Sequence, residues 1–398
     1  MSRKALAGIR VLDLSRILAG PFATQVLGDL GAEIIKVEMP VIGDGTRAWG
    51  PPYVEGESAY YLCINRNKRS ITVNLKSAEG RAIIRKMAKE VDIVIENFKA
   101  DELDNMGLGY EVLRQDNPGM IFASISAYGP VGPYRERPGF DFIMQAQTGI
   151  MHITGPADGD PSRVGVAVVD ITTGLYCANA ILAALFARER HPQKLGQKVE
   201  VSLYECALAW LANVASNYLV SGKDAKRYGN AHPNVAPYQP FNTKDIPMAL
   251  GVGTDNQFAK LCQVLNRPDL AEDARFKQNA NRLIYRDQLV PVIQEMLLEK
   301  SADEWIEVLT AADVPAGPIN TVARVFQDPH TTALEIVKEI EHPTIGKLKL
   351  VGSPIRMSET PPLVELPPPL LGQHTAEILQ EFGYSPAEIE QLKREKIV

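Results

Sequence analysis

The sequence predicts an α/β protein built on a parallel β-sheet. Three observations carry that reading. Apolar, β-rich runs alternate with helical ones through the first half of the chain. The first such run, Ile9–Leu14, is followed by a helix and then by Glu33-Ile-Ile-Lys-Val-Glu38, a strand–helix–strand order that sets two strands parallel. With 398 residues, 45% hydrophobic and 23% charged, the chain is long enough for a large core, in two domains or one elaborate one.

The elements follow in order. After Ile9–Leu14, Ser15–Gly20 reads as a turn, and Pro21 suits the first position of a helix that runs to Gly28 or Gly31. Glu33–Glu38 is the next strand. Its unit lacks GxGxxG, so no dinucleotide site is expected. Val41–Pro52 is a long loop carrying Arg47 and Trp49, of the kind that often bears function. The basic knot Asn65–Ser70 precedes an expected strand at Ile71–Leu75. A helix at Ser77–Lys89, a strand at Asp92–Phe98, a helix near Glu111–Gln115 and a strand at Met120–Ile125 complete further units. A helical stretch runs from Phe140 to about Met151. Lys198–Ser202 reads as a strand and Leu203–Val220 as a long apolar helix.

Composition changes at Ser221–Pro240, which is rich in Gly, Asn, Pro and Tyr. Beyond it lies a smaller α+β unit, with strands near Tyr238–Thr243 and Met248–Gly253 and helices near Gln257–Leu265, Arg286–Leu298 and Ala302–Ala311. Lys347–Val351 is a strand, and Pro-rich Glu359–Pro369 an extended strap. Gln373–Phe382 and Pro386–Arg394 are short helices. The division expected is 1–205 for the first part of a large domain, 206–225 for a linker helix, 226–328 for the small domain and 329–398 for a return segment.

Several function classes are excluded. A net charge of −6 argues against a general nucleic-acid binder. The four cysteines, Cys63, Cys177, Cys206 and Cys262, are far apart and contain no CxxC, which fits a reducing compartment. The six histidines show no metal spacing, so no metal is expected. No GxSxG elbow and no GxxxxGK[ST] loop occurs. No membrane segment and no signal-peptide core is expected, and the default location is cytoplasmic.

What remains is Arg163-Val-Gly-Val-Ala-Val-Val-Asp170-Ile-Thr-Thr-Gly174 and scattered cations: Arg16, Lys36, Arg47, Arg66, Lys68, Lys76, Lys99 and Arg137. An apolar, β-rich run ends in one carboxylate and a helix starts at once. Asp170 is therefore expected between a strand end and a helix start, the edge where open α/β sheets bind ligands. A helix N-cap is the plainer reading of the same residue. Cations grouped near strand ends would suit a polyphosphate.

Over essentially its whole length the sequence resembles the class III CoA-transferases, the family of formyl-CoA transferase and carnitine CoA-transferase. The matching stretches include Leu6–Leu14, Leu18–Pro21, Leu27–Glu38, Asn67–Ser70, Val94–Phe98, Met106–Tyr110, Gly139–Asp141, Asp170–Gly174 and Pro369–Thr375. Thr46–Pro52, Met151–Pro156, Asn217–Leu219 and Val235–Gln239 are similar to the dicarboxylate branch, that of succinate–hydroxymethylglutarate CoA-transferase.

The resemblance implies a Rossmann-like large domain made from both chain ends, a small domain inserted in it, and a homodimer of interlocked rings. It implies coenzyme A as a substrate (acyl-CoA) rather than a tightly bound cofactor, a carboxylic acid as the second substrate, and Asp170 as nucleophile. It carries CoA contacts onto Leu18, Ala19, Val73, Lys76, Asn97, Phe98, Lys99 and Arg137. Met39 stands where formyl-CoA transferases have an Arg, and their glycine-rich loop has no clear copy. Gly229–Asn234 and Gly251–Gly253 are the nearest substitutes. A helix N-terminus is expected to keep Asp170 ionised, with amides near Thr172–Gly174 facing the oxyanions. A dicarboxylate needs a cation for its distal end; Arg47 is the first choice, with Arg16 and His152 behind it and a loop-anchoring salt bridge as the alternative for Arg47. A 2-methylacyl-CoA racemase of the same fold is a competing reading, but Phe140 stands where racemases carry a proton-accepting His. A non-catalytic acyl-CoA-binding subunit is another.

Overall fold

The computed structural model describes residues 4–398. Six parallel strands form the main sheet, in the spatial order Lys68–Thr72, Glu33–Glu38, Arg10–Asp13, Ile93–Glu96, Ile121–Ser126, Lys198–Ser202. Counted along the chain that is 3-2-1-4-5-6, the doubly wound order. The order reverses between Arg10–Asp13 and Ile93–Glu96, so a crevice opens beyond the carboxyl ends of those strands.

Burial follows from the pairing. Val11, Leu12, Ile93, Val94 and Ile95 are fully buried because helices cover both faces of the sheet. One face packs against Ala19–Asp29 and Val168–Arg190, the other against Ala78–Ala88 and the tail helices Thr375–Glu381 and Pro386–Arg394. Val168–Arg190 is long and apolar enough to cross a membrane by length and composition. Its inner face, Cys177, Ile181 and Leu185, lies in the sheet core. Gly174 permits the close helix–helix approach, because a Cβ there would sit 2.6 Å from the Ala19 carbonyl oxygen.

Contacts divide the chain into two units. The first comprises residues up to Ile150, Val164–Ser221 and Leu334–Val398. The second comprises Met151–Arg163 and Gly222–Ala333. In the second, strands Tyr238–Phe241, Met248–Gly251 and Ala316–Pro318 form an antiparallel sheet beside helices that bury Phe258, Leu289 and Trp305. In the first, the Pro-rich strap is held by Asn67, whose side chain donates to the Leu363 carbonyl and accepts from the Glu365 and Leu366 amides.

Three expectations are corrected. The strand placed at Ile71–Leu75 runs instead over Lys68–Thr72, because the charges of the basic knot are paired inside the protein. Arg66 bonds Asp29 through two nitrogens, at 2.9 and 2.6 Å, and Lys68 reaches Asp13, the Pro21 carbonyl and Asn65. The long helix at Leu203–Val220 breaks into Leu203–Trp210 and Ala212–Ser221, with Ala212 at a φ of 42°. A hairpin partner for Gly346–Val351, the strand Val337–His342, was not expected.

Asp13 is fully buried between Lys68 and Lys36. Burial alone would push its carboxyl up, yet the two ammonium groups outweigh that and hold it below the ordinary range. Lys68→Ala should remove that carboxylate's direct ion-pair partner, leaving it Lys36 and the hydrogen bonds of Ser15 and Thr24, and lower unfolding stability by ~3 kcal/mol. Urea denaturation reads this directly, and a loss below ~1 kcal/mol would show that the pair is dispensable.

Candidate active site

A cleft of about 510 Å³ opens at the sheet's reversal point. Arg16, Ala19, Phe98, Lys99, Arg137 and Asp170 are among its lining residues. The turn after the first strand is held rigidly. Asp13 accepts from the Ser15 amide at 2.9 Å, Lys36 Nζ donates to the Ser15 carbonyl at 3.1 Å, and the Ile17 amide donates to the Asp44 carboxylate. These contacts hold Ile17 at a φ of 70°, a region that β-branched residues avoid. Asn97 then ties the turn to the loop after the fourth strand. Its side chain accepts from the Arg16 amide at 2.8 Å and donates to the Arg16 carbonyl at 2.7 Å.

Cations gather at this edge. The Arg16 guanidinium lies 4.6 Å over the Phe98 ring and Arg137 lies 3.9 Å over Tyr134. Their neighbour Arg135 is paired with Asp101, whereas Arg16, Lys99 and Arg137 form no ion pair among the described residues. Three cations free of carboxylates suit an anionic, phosphate-bearing ligand.

Asp170 lines the same cleft and is 8% exposed. Its setting differs from the expected one in three ways. Residues 163–167 are not a strand, and Asp170 is the third residue of the Val168–Arg190 helix rather than its cap. The amides of Thr172–Gly174 lie inside the helical ladder, so they cannot face an oxyanion at Asp170. Nor is the carboxyl kept strongly acidic: burial, and then the negative charge of Asp141, push it up to about 7. Among the described residues no group donates a hydrogen bond to it.

Tyr60 and Trp49 belong to the same neighbourhood. Burial, and next the Asp170 charge, push the Tyr60 phenol up to about 12, and its ring meets Trp49 edge-on at 5.0 Å.

Other singled-out residues fall elsewhere. Arg47 is occupied by Glu38 through two nitrogens at 2.8 Å, by Glu57, by the Tyr61 hydroxyl and by the Pro369 carbonyl. That geometry corrects the choice of Arg47 for a substrate carboxylate and matches its loop-anchoring alternative. Lys36 pairs with Asp44 at 2.9 Å, wholly buried, and Arg66 and Lys68 are internal ion-pair partners. Val73 lies in the core, Lys76 is exposed, and neither lines the cleft. His152 belongs to the second unit, its ring 3.1 Å from the Ala225 carbonyl. Leu18, Ala19, Asn97, Phe98, Lys99, Arg137 and Arg16 all line the cleft with Asp170.

Two contributors were missed. Tyr60 carries no motif and meets Asp170 only through the fold. Asp141 was seen only as the end of Gly139-Phe-Asp141. Its place at the start of a helical stretch, an acid in a first turn, was the available signal.

A doubly wound sheet with unpaired cations and a buried carboxylate that accepts no hydrogen bond among the described residues, at its reversal point, suits an α/β enzyme for a phosphate-bearing acyl or nucleotide ligand. Residues 6–375 match the model of CoA-transferase family III. The chain belongs to that family and is a CoA-transferase, an enzyme whose substrates are CoA thioesters. It is 45% identical over 378 residues to succinyl-CoA:glutarate CoA-transferase of Homo sapiens, covering 95% of this chain and 86% of that one. It is 44% identical to succinate–glutarate CoA-transferase of Agrobacterium fabrum, covering 95% of each. A solved CaiB/BaiF family protein of Brucella suis superposes with a TM-score of 0.85 at 44% identity, over 96% of this chain and 100% of that one.

The buried carboxyl has a stability consequence. Its native-state value, about 7, lies above the 3.8 of a free Asp, so the native state keeps this proton to higher pH than the unfolded chain does. Ionisation therefore destabilises the fold progressively from pH ~4 to ~7, and fully above that. Asp170→Asn should raise the melting temperature little at pH 4 and increasingly up to pH 8, where the gain is ~2–4 kcal/mol. A gain that stays constant with pH would contradict this account.

Proposed function

We propose that this enzyme moves CoA from succinyl-CoA to a dicarboxylate such as glutarate, hydroxymethylglutarate or malate, with Asp170 as covalent nucleophile. The carrying observation is the Asp170 carboxyl itself, unbonded among the described residues and buried in the cleft that three unpaired cations also line. The names of the relatives supply the substrate class. A carboxylate nucleophile splits an exchange between two acids of similar reactivity into easier steps. An Asp170 oxygen attacks the thioester carbonyl, the C–S bond breaks, and a succinyl-aspartyl anhydride and CoA thiolate form. The thiolate attacks the Asp170 carbonyl carbon and releases succinate, leaving an aspartyl-CoA thioester. The acceptor carboxylate displaces the thiolate to give a new anhydride. The thiolate then attacks the acceptor's carbonyl and restores the Asp170 carboxylate.

Arg16, Lys99 and Arg137 meet CoA phosphates or the substrate's distal carboxylate. Of the residues considered for that carboxylate, Arg16 is assigned here because it lines the Asp170 cleft while Arg47 is committed to Glu38. Phe140 faces the same cleft with no atom able to take a proton, which disfavours a racemase.

One experiment tests the mechanism and the acceptor together. Wild-type enzyme incubated with succinyl-CoA should carry CoA as a thioester at Asp170, read by peptide mass as the Asp170 hydroxamate that forms when hydroxylamine displaces the thiol. Asp170→Ala should lose turnover by at least ~10³-fold. In a panel of acceptors, dicarboxylates should outpace acetate, and Arg16→Gln should raise the apparent KM for glutarate ~10-fold while sparing acetate. No adduct at Asp170, or acetate used as well as glutarate, would sink the reading.

We also propose that two copies interlock as rings, in a cytoplasmic homodimer. Exposed apolar side chains support a large interface: Leu175, Tyr176 and Phe186 on the Val168–Arg190 helix, and Leu219 and Val220 at 79% and 86% exposure. Threaded rings cannot part without unfolding. Tagged and untagged enzyme mixed in native buffer should therefore form no hybrid, and should form one after denaturation and refolding. Rapid native exchange, or a monomer by light scattering, would end this proposal.

A further inference from the structure

The Val168–Arg190 helix begins with a division of labour between two carboxylates. A helix leaves its first amides without internal partners, and an acid in its first turn ordinarily folds back onto them. Here the amides of the first three helical residues are already taken, and the fourth closes the helix's own first bond. Val168 N–H donates to the Val166 carbonyl at 2.8 Å and Ile171 N–H to the Ala167 carbonyl at 3.1 Å. The amides of Val169 and Asp170 point to Asp141 Oδ1, at 2.7 and 3.4 Å. Asp141 thus caps the helix from outside, and the amides of residues 168–170 offer the Asp170 carboxylate no donor.

Asp141 is itself held. Its Oδ2 accepts from Gln145 Nε2 at 2.7 Å. Gln145 is wholly buried, and its Oε1 accepts from the Val164 amide at 2.8 Å. The Asp141–Gln145 pair, one turn apart on the Asp141–Gln147 helix, therefore fastens both ends of the segment that delivers Asp170 to the cleft.

We propose that Asp141 is a positioning residue of the transfer reaction: it occupies the amides that would otherwise bind the Asp170 carboxylate and leaves that carboxylate a free nucleophile. The inference rests on the covalent reading of Asp170 given above. It goes beyond that reading by naming what keeps the nucleophile uncapped. A carboxylate bonded to helix amides is a weaker base, and a charge neighbour raises basicity further, in the direction found for Asp170. The other titratable groups at the cleft are Tyr60, Arg16, Lys99, Arg135, Glu136 and Arg137. Tyr60 is neutral near pH 7. Beside burial, the charge of Asp141 is what raises the Asp170 carboxyl. Asp141 is thus the neighbour whose removal shifts the acid side of the pH profile.

The test compares Asp141→Asn and Asp141→Ala by the pH dependence of kcat/KM and by the rate of Asp170–CoA adduct formation. Asparagine keeps an oxygen for the two amides and removes the charge. Its acid limb should move from near 7 downward by about one unit or more, with kcat reduced only several-fold. Alanine frees the amides, so adduct formation should slow by about a hundredfold with the KM for succinyl-CoA nearly unchanged. An unshifted acid limb in Asp141→Asn would overturn the proposal, as would equal adduct rates in that variant and in Asp141→Ala. If Asp141→Ala fails to fold, the asparagine profile still decides. Absence of any adduct in wild-type enzyme would instead remove the covalent reading itself, which keeps the two failures apart.

Discussion

Four buried charges at the carboxyl edge of the sheet hold the rest of the site in place. Asp13 and Lys68, Lys36 and Asp44 have fully buried side chains and lie on or beside adjacent parallel strands. Charges taken out of water are tolerable only when every one finds a partner. Here the pairing also fixes backbone. The second strand's Lys36 holds the Ser15 carbonyl, and Asp44 holds the Ile17 amide, in the turn that lines the cleft. Asp44 also bonds Thr46 and so starts the short helical turn Gly45–Ala48, from which Arg47 reaches back to Glu38. The ligand-facing loops are therefore extensions of an ionic core.

Against that rigid edge, Asp170 is left without hydrogen-bond donors among the described residues. Burial and Asp141 make its ionised form expensive, which destabilises the native state near neutral pH and raises the carboxylate's basicity. A group held this way has reactivity that fold stability would not select for. The cations lining the cleft, Arg16, Lys99 and Arg137, stand ready for anions because no carboxylate among the described residues neutralises them. Their neighbour Arg135, paired with Asp101, shows the contrasting arrangement.

Much of the framework was legible residue by residue. Glu33–Glu38, Lys198–Ser202, Ala302–Ala311 and Pro386–Arg394 match their expected spans, since local signals end each cleanly. Ser301 with Glu304, and Ser385 with Glu388, close capping boxes within four residues of chain. Misreadings occur where a local pattern meets a distant partner. Lys68-Arg69 reads as surface and is strand, because Asp13, Asn65, Glu33 and Glu381 receive its charges. Val164–Val169 reads as strand and instead leads into a helix, held by Gln145 and Asp141.

By itself the sequence determined the α/β class, the family and the single carboxylate at the head of an apolar helix. Local periodicity carries the class and the carboxylate, and the family rests on the resemblance of ordered stretches along the chain. Only the tertiary structure decided which charges are paired inside the protein. Arg47, Lys36, Arg66 and Lys68 look as available in the sequence as Arg16, Lys99 and Arg137, yet the first four are spent on internal carboxylates. It likewise decided that Asp141 caps the helix and Asp170 does not. The reason is physical: pairing and desolvation depend on distance through space, and here the partners lie from 8 to 55 residues apart along the chain.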